Sequence, residues 1–364
     1  MEQRKTTIAD VARLAGVGKM TVSRFLNGSA KVSEETAEKV HRAIKNLHYQ
    51  PNEIARSLRG LNSKTIGVIV PYLLDPFFAT CAHAISTVAK EQGYSVILTT
   101  SDENPEIEHK QAILMLRRQV NGLVMIPVAG NDHLYVGEAF SHIPIVSLDR
   151  PLAGPHFDSV LVANRAGAKA VVEHLIGHGH RNIAFLGLNR SLYAVNTRYA
   201  GYCDALAQSG YPPGPYLDCI SQEKCAALIR SQLQSSQPPT AFFASNNLTM
   251  RYLLHTLYAE RVAIPRRVAV AGFDDIEMAD VAHPSITVIR QPVYQISELA
   301  ANLLFKRISG ADVAETRNRV VLPVELILRG SCGCKARFAK SASDNFTSIV
   351  INPETLPEQM PMLD

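Results

Sequence analysis

Within residues 19–24, Lys19, Met20, Thr21, Ser23 and Arg24 gather two cations, a thioether and two hydroxyls. That set suits the major groove of duplex DNA, about 12 Å wide. There a Lys or Arg reaches a guanine edge, a Met meets a thymine methyl, and a Ser or Thr bonds a phosphate. On this reading Lys19, Met20 and Arg24 read bases, while Thr7, Thr21, Ser23, Asn27, Lys31, Ser33, Tyr49 and Asn52 hold phosphates or sugars.

Such side chains need a helix held out to solvent by its neighbours. Thr7 and Asp10 form a T-x-x-D capping box ahead of Ile8, Val11, Ala12 and Ala15, which recur at helical spacing. Gly16 supplies the left-handed turn that ends this first helix. A second helix from Lys19 buries Val22, Phe25 and Leu26, and a third, capped at Ser33 with Glu34 and Glu35 behind it, buries Ala37, Val40, Ile44 and Leu47. The spacing predicts a helix-turn-helix over residues 1–48, small enough to bury little apolar surface. Charge divides accordingly. Residues 1–60 hold 11 Lys/Arg and 6 Asp/Glu, leaving 26 and 27 for the rest of the 364-residue chain. A basic head on a neutral body points to an anionic polymer bound at that head.

Residues 49–60 begin at a proline stop and end at Gly60, leaving about two helical turns, too few to be stable alone. Here TIADVARLAGV, KMTVSRFLN, and YQPNEIARSL followed by IGVIVP resemble the lactose/galactose repressor family of bacterial transcription factors, from about residue 6 to about residue 330. The resemblance implies a homodimer on a palindromic double-stranded operator. It also implies a hinge helix in 49–62 that folds on DNA, with Leu58 of each subunit wedged into the minor groove and Asn52 and Ala55 facing backbone or groove. Gly18 departs from the pattern, since the family usually has a serine cap there.

From Ser63 onward, short aliphatic runs alternate with helical segments: Ile66–Val70, Ser95–Thr99, Gly122–Pro127 and Ile145–Leu148, then Ser159–Val162, Ile183–Gly187, Ala241–Ser245 and Val268–Gly272. Runs without strict alternation are strands buried on both faces of a parallel sheet. The predicted class is α/β: the helix-turn-helix and hinge, then two doubly wound lobes that the resemblance identifies with the type I periplasmic-binding-protein fold. The expected boundaries are 63–162 with 292–320 for one lobe and 163–291 with 321–330 for the other, followed by a Ser- and Pro-rich tail, 331–364, expected to be disordered. Helices are expected at 132–140 and 198–209 among others.

Ligands of open α/β sheets bind at the carboxyl ends of strands. There the sequence puts Pro71, Asp75, Phe77, Phe78, Asp149, Arg150, Asn164, Asn246, Asp274 and Gln291, with Arg198 opening a helix. Carboxylates and amides that accept from hydroxyl pairs, forked arginines and stacking aromatics suit a sugar, and two arginines tilt the choice towards a sugar acid. By resemblance, Arg198 and Asp274 match positions the family uses for its effector.

Other classes have little support. The chain lacks the P-loop, G-x-G-x-x-G, G-x-S-x-G and H-E-x-x-H motifs, so no catalytic role and no cofactor are expected. A solute-binding protein for sugar transport would need a signal peptide and would not carry the basic head. The N-terminus has no such apolar segment and no run spans a bilayer, so a cytoplasmic protein without membrane partners is expected. Cys81, Cys203, Cys219, Cys225, Cys332 and Cys334 are scattered, which predicts reduced thiols. Cys332-Gly-Cys334 lacks a second Cys/His pair at ligand spacing, and His174 and His178 look like part of the family's E-H-L-x-x-x-G-H turn; no metal is expected.

Overall fold

The computed structural model describes residues 6–27, 32–49, 63–130, 132–152, 157–310, 319–334 and 347–353. The chain divides into two compact units, Met1–Ser63 and Lys64–Asp364.

The first unit holds α1 (Ile8–Ala15), α2 (Lys19–Asn27) and α3 (Glu34–Asn46). The Thr7 N–H donates to the Asp10 carboxylate at 3.0 Å, and Gly16 closes α1 with a φ of 67°. Val11, Val22 and Val40 are fully buried, with Ala12, Ala15 and Ala43 around them and Phe25, Leu26, Ile44 and Tyr49 packed against this small core. Of the hinge expected within 49–62, residues 50–62, with Asn52, Ala55 and Leu58, lie outside the described residues, as do Lys31 and the side chain of Asn27.

The second unit contains two sheets. β1 (Thr65–Val70), β2 (Ser95–Thr100), β3 (Leu123–Met125), β4 (Ile145–Leu148), β5 (Asp158–Val162) and β11 (Arg319–Leu322) form an all-parallel sheet ordered β11-β5-β4-β3-β1-β2. Its helices are α4 (Pro76–Glu91), α5 (Pro105–Arg117), the short α6 (Asp132–Tyr135) and α11 (Val293–Ile308). The second sheet is ordered β13-β12-β10-β9-β8-β6-β7 and contains β6 (Ile183–Gly187), β7 (Tyr216–Asp218), β8 (Ala241–Ala244), β9 (Ala269–Phe273), β10 (Thr287–Arg290), β12 (Val324–Leu328) and β13 (Thr347–Ile351). Strands β6 to β10 run parallel, and β12 and β13 add on antiparallel. Helices α7 (Asn164–Gly177), α8 (Tyr193–Gln208), α9 (Gln222–Leu233) and α10 (Asn247–Ala259) belong to this lobe. The chain crosses between sheets three times: after β5, after β10, and between β11 and β12.

The aliphatic runs become strands because both of their faces are covered: every residue from Ile66 to Val70, from Asp158 to Val162 and from Ile183 to Gly187 is buried. Helices α7 and α8 lie so close that a side chain on Gly201 would collide with the Arg165 carbonyl, and the Arg165 guanidinium grips Asp204 at 2.6 and 3.0 Å.

Four expectations need correction. The helix expected at 132–140 is only α6 and a separate 3-10 turn, Glu138–Phe140. The helix expected from Arg198 begins at Tyr193, so Arg198 lies in its second turn. Part of the tail is ordered: in β13 the β-branched residues of Thr347–Ile351 pair with β12 from Leu328↔Thr347 to Val324↔Ile351. Cys219 and Cys225, expected as thiols, form a disulfide, because the turn from β7 into α9 brings their Cα atoms to 4.4 Å in a buried setting.

Candidate functional site

In the first unit, α2 turns Lys19, Met20 and Arg24 to solvent, while Thr21 and Ser23 are half-buried. Thr7 and Ser33 serve the helix starts: the Thr7 hydroxyl donates to Asp10 at 2.6 Å, and the Ser33 hydroxyl pairs with that of Thr36 at 2.8 Å. Gly18 accepts the first α2 hydrogen bonds, from Thr21 and Val22, and a side chain there would meet nothing closer than 3.8 Å. The missing serine cap is therefore a loss of chemistry rather than a steric necessity.

The second site is a polar cleft between the two lobes of the second unit, with a cavity volume of about 60 Å³. The sheets place its acids. Asp149 follows β4 and Asp274 follows β9, both in the left-handed region at φ 63° and 76°, a conformation aspartate tolerates better than bulkier residues. Arg198 reaches in from α8, donates from Nε to Asn164 at 2.7 Å and from Nη1 to the Ser245 carbonyl at 2.7 Å, and lies 3.9 Å from the Asp274 carboxylate. Its guanidinium stacks 3.7 Å from the Phe273 ring centroid. Gln291, on the crossover after β10, donates to Asp274. Asp75 caps α4 by accepting from the Phe77 N–H at 3.0 Å and also accepts from the Asn247 amide at 3.2 Å, a contact that spans the two lobes.

Burial pushes Asp274 up to about 6; Arg198 and the Gln291 amide pull the other way. Asp149 is raised for the same reason, against the pull of Arg198 and Arg150. Around the cleft, Asp149 Oδ1, Arg150 Nε, Asn164 Nδ2, Ser245 Oγ, Asn247 Oδ1 and Gln291 Oε1 are buried with no hydrogen-bond partner. Buried polar atoms in native proteins are nearly always paired, so this concentration of spare donors and acceptors offers hydrogen bonds to water or to a polar ligand.

Of the cleft residues expected from the sequence, the structure gathers Asp75, Phe77, Phe78, Asp149, Arg150, Arg198, Asn246, Asp274 and Gln291 around one cavity. Pro71 is buried but does not line it, and its neighbour Tyr72 does. Asn164 lies behind Arg198. Asn246 spends its side chain capping α10 through the Thr249 N–H at 2.9 Å, and its neighbour Asn247 makes the cross-lobe contact. Glu103 was missed: it takes both Arg150 amino groups, at 2.6 and 2.8 Å. The signal was its position just past the end of β2, where the backbone turns left-handed at Asp102 and Glu103.

Comparison with known proteins gives the lineage. Residues 7–52 match the bacterial regulatory proteins of the lacI family, and residues 172–332 match the periplasmic binding protein-like domain. The probable HTH-type transcriptional regulator EndR of Paenibacillus polymyxa is 33% identical over 83% of this chain and 91% of its own length. The chain belongs to the LacI family. Among solved structures, the lac repressor dimer bound to operator and the anti-inducer ONPF superposes with a TM-score of 0.81 at 28% identity, over 90% of this chain and 99% of that one. A CelR–cellobiose complex gives 0.65 at 31%, over 90% and 100%. This LacI-family chain is a DNA-binding, ligand-responsive transcriptional repressor, and no helix among its described residues is long and apolar enough to cross a membrane.

Proposed function

We propose that this repressor binds a palindromic operator as a homodimer, with Lys19, Met20 and Arg24 at base edges and Leu58 in the minor groove, and is switched by a neutral sugar in the interlobe cleft. The observation that carries the sugar assignment is the charge and pairing of the cleft. Asp75, Glu103, Asp149 and Asp274 outnumber Arg150 and Arg198, and the fork of Arg150 is already occupied by Glu103. An anionic sugar acid would meet net negative charge, whereas hydroxyl pairs of a neutral sugar donate to the carboxylates and accept from Arg198 and the amides. The preference for a sugar acid drawn from Arg150 and Arg198 falls away because Glu103 already holds Arg150. Two relatives support the reading: the operator-bound dimer and the cellobiose complex.

The cleft as it stands, about 60 Å³, is far smaller than the roughly 300 Å³ and upward of small-molecule sites, so a sugar enters by parting the lobes at the Asp75–Asn247 contact. Ligand affinity that differs between the parted and closed arrangements sets the size of the switch.

A thermal-shift panel of neutral mono- and disaccharides, sugar acids and sugar phosphates tests the assignment. At a hundred times its dissociation constant, the matching neutral sugar adds about 2.7 kcal/mol of stability. The shift disappears in Arg198→Ala. A shift confined to sugar acids refutes the charge argument. Leu58→Ala abolishes specific operator binding while leaving the sugar shift intact; loss of both would overturn the division of roles.

A further inference from the structure

We propose that His174, His178, Cys332 and Cys334 form a closed four-ligand zinc site in the second lobe. The two pairs lie about 160 residues apart in sequence and meet where the C-terminal end of α7 packs beside the 3-10 turn Gly330–Cys332. His174 Nε2 lies 3.3 Å from Cys332 Sγ and 3.4 Å from Cys334 Sγ, and Cys334 Sγ lies 3.3 Å from His178 Nε2. All four ligand atoms fall within 4.8 Å of one another. A tetrahedron with Zn–S near 2.3 Å and Zn–N near 2.0–2.1 Å has edges of about 3.3–3.8 Å, so the three close edges already match and the remainder needs only small side-chain rotations.

The local build fits this use. His174 in the last turn of α7 and His178 at its C-cap are four residues apart, and so lie on the same side of the helix end. Gly333, at φ 97°, folds the chain so that both flanking sulfurs reach the same point. The turn is held from behind by the Ser331 hydroxyl, which donates to the Val270 carbonyl at 2.6 Å and accepts from the Thr287 N–H at 2.8 Å. The Thr287 hydroxyl donates to Cys332 Sγ at 3.1 Å, the outer hydrogen bond that a metal-bound thiolate attracts. A dication also sits favourably at the negative end of a helix. Two thiolates and two imidazoles without a carboxylate select zinc over magnesium, calcium or manganese, and four protein ligands leave no open position for catalysis. The ion is therefore structural. It clamps the chain after β12 to α7, the helix whose first residue, Asn164, accepts from Arg198 in the cleft. Metal uptake is independent of which sugar binds.

The test uses full-length protein, reduced, stripped with chelator and titrated with Co²⁺ alone. One cobalt per chain is expected, with tetrahedral ligand-field bands and thiolate-to-cobalt charge transfer that one equivalent of zinc bleaches. His178 is exposed, so His178→Gln keeps the fold and weakens cobalt binding on the order of 100-fold, the upper end of the loss caused by outer-shell changes. Cys334→Ser halves the charge-transfer intensity. Absence of tetrahedral bands, bands unchanged in both variants, or a Cys332–Cys334 disulfide persisting in the reduced protein would each overturn the site.

Discussion

Asp274→Asn should make the protein more stable at neutral pH while depriving it of its ligand. The carboxyl is buried, and its folded value of about 6 stands above the ordinary aspartate value near 3.9. The folded chain thus holds the proton more tightly than the unfolded chain. The resulting stabilisation is fully present below about pH 4 and is lost as pH rises to about 6. Above pH 7 the ionised group costs the fold about 3 kcal/mol, at 1.36 kcal/mol per pH unit. Asparagine fills the same space without charge. Its oxygen can still accept from the Asn247 N–H, which now donates to Asp274 at 3.3 Å, and a flipped Gln291 can meet its amide. Urea or thermal unfolding of both proteins between pH 4 and 8 measures the difference. The variant should gain about 3 kcal/mol at pH 7.5, roughly 5 °C for a unit of this size, and converge on the parent near pH 4. A variant that is less stable at pH 7.5, or a gap that does not change with pH, would refute the placement of this carboxylate.

Lys19→Ala, judged from operator affinity against salt concentration, should lower the slope of log K on log salt by about 1 if the ammonium contacts phosphate, and should instead cost about 1–3 kcal/mol at one base pair if it reads an edge. Tyr202→Phe is a control away from the cleft: the buried hydroxyl donates to the Ile183 carbonyl and accepts from the Gly214 N–H, both at 2.7 Å, so its loss should cost about 1–3 kcal/mol of stability and leave ligand shifts unchanged. Arg307→Ala should destabilise by about 3–5 kcal/mol in chemical unfolding, because it removes the paired cation and two hydrogen bonds, at 2.8 and 2.9 Å, from the fully buried Asp158.

The sheet strands were legible because burial on both faces writes itself as unbroken aliphatic runs such as Ile66–Val70. The capping box at Thr7 and the turn at Gly16 are equally local. What escaped was what depends on distant partners. In the sequence Arg198 looks like a helix start because Tyr193–Thr197 shows no clear apolar rhythm, although α8 begins at Tyr193. Glu103 could not be known to occupy Arg150 before the strand ends were assembled, which is why the sugar-acid reading counted a free arginine. Cys332-Gly-Cys334 and His174/His178 are each half a site in the sequence, and only the packing of α7 on the final turn unites them. In the tail, Thr347–Ile351 carries its own β-branched signal, submerged in polar neighbours.

The pairing of β13 with β12 changes where this protein can safely be cut. A version shortened after Cys334 would leave Val324–Leu328 with a bare row of amides and carbonyls along the outer rim of its sheet. Such rims recruit foreign strands. The shortened protein should clump at concentrations where the full chain stays dispersed, because Thr347–Ile351 would no longer cover that rim.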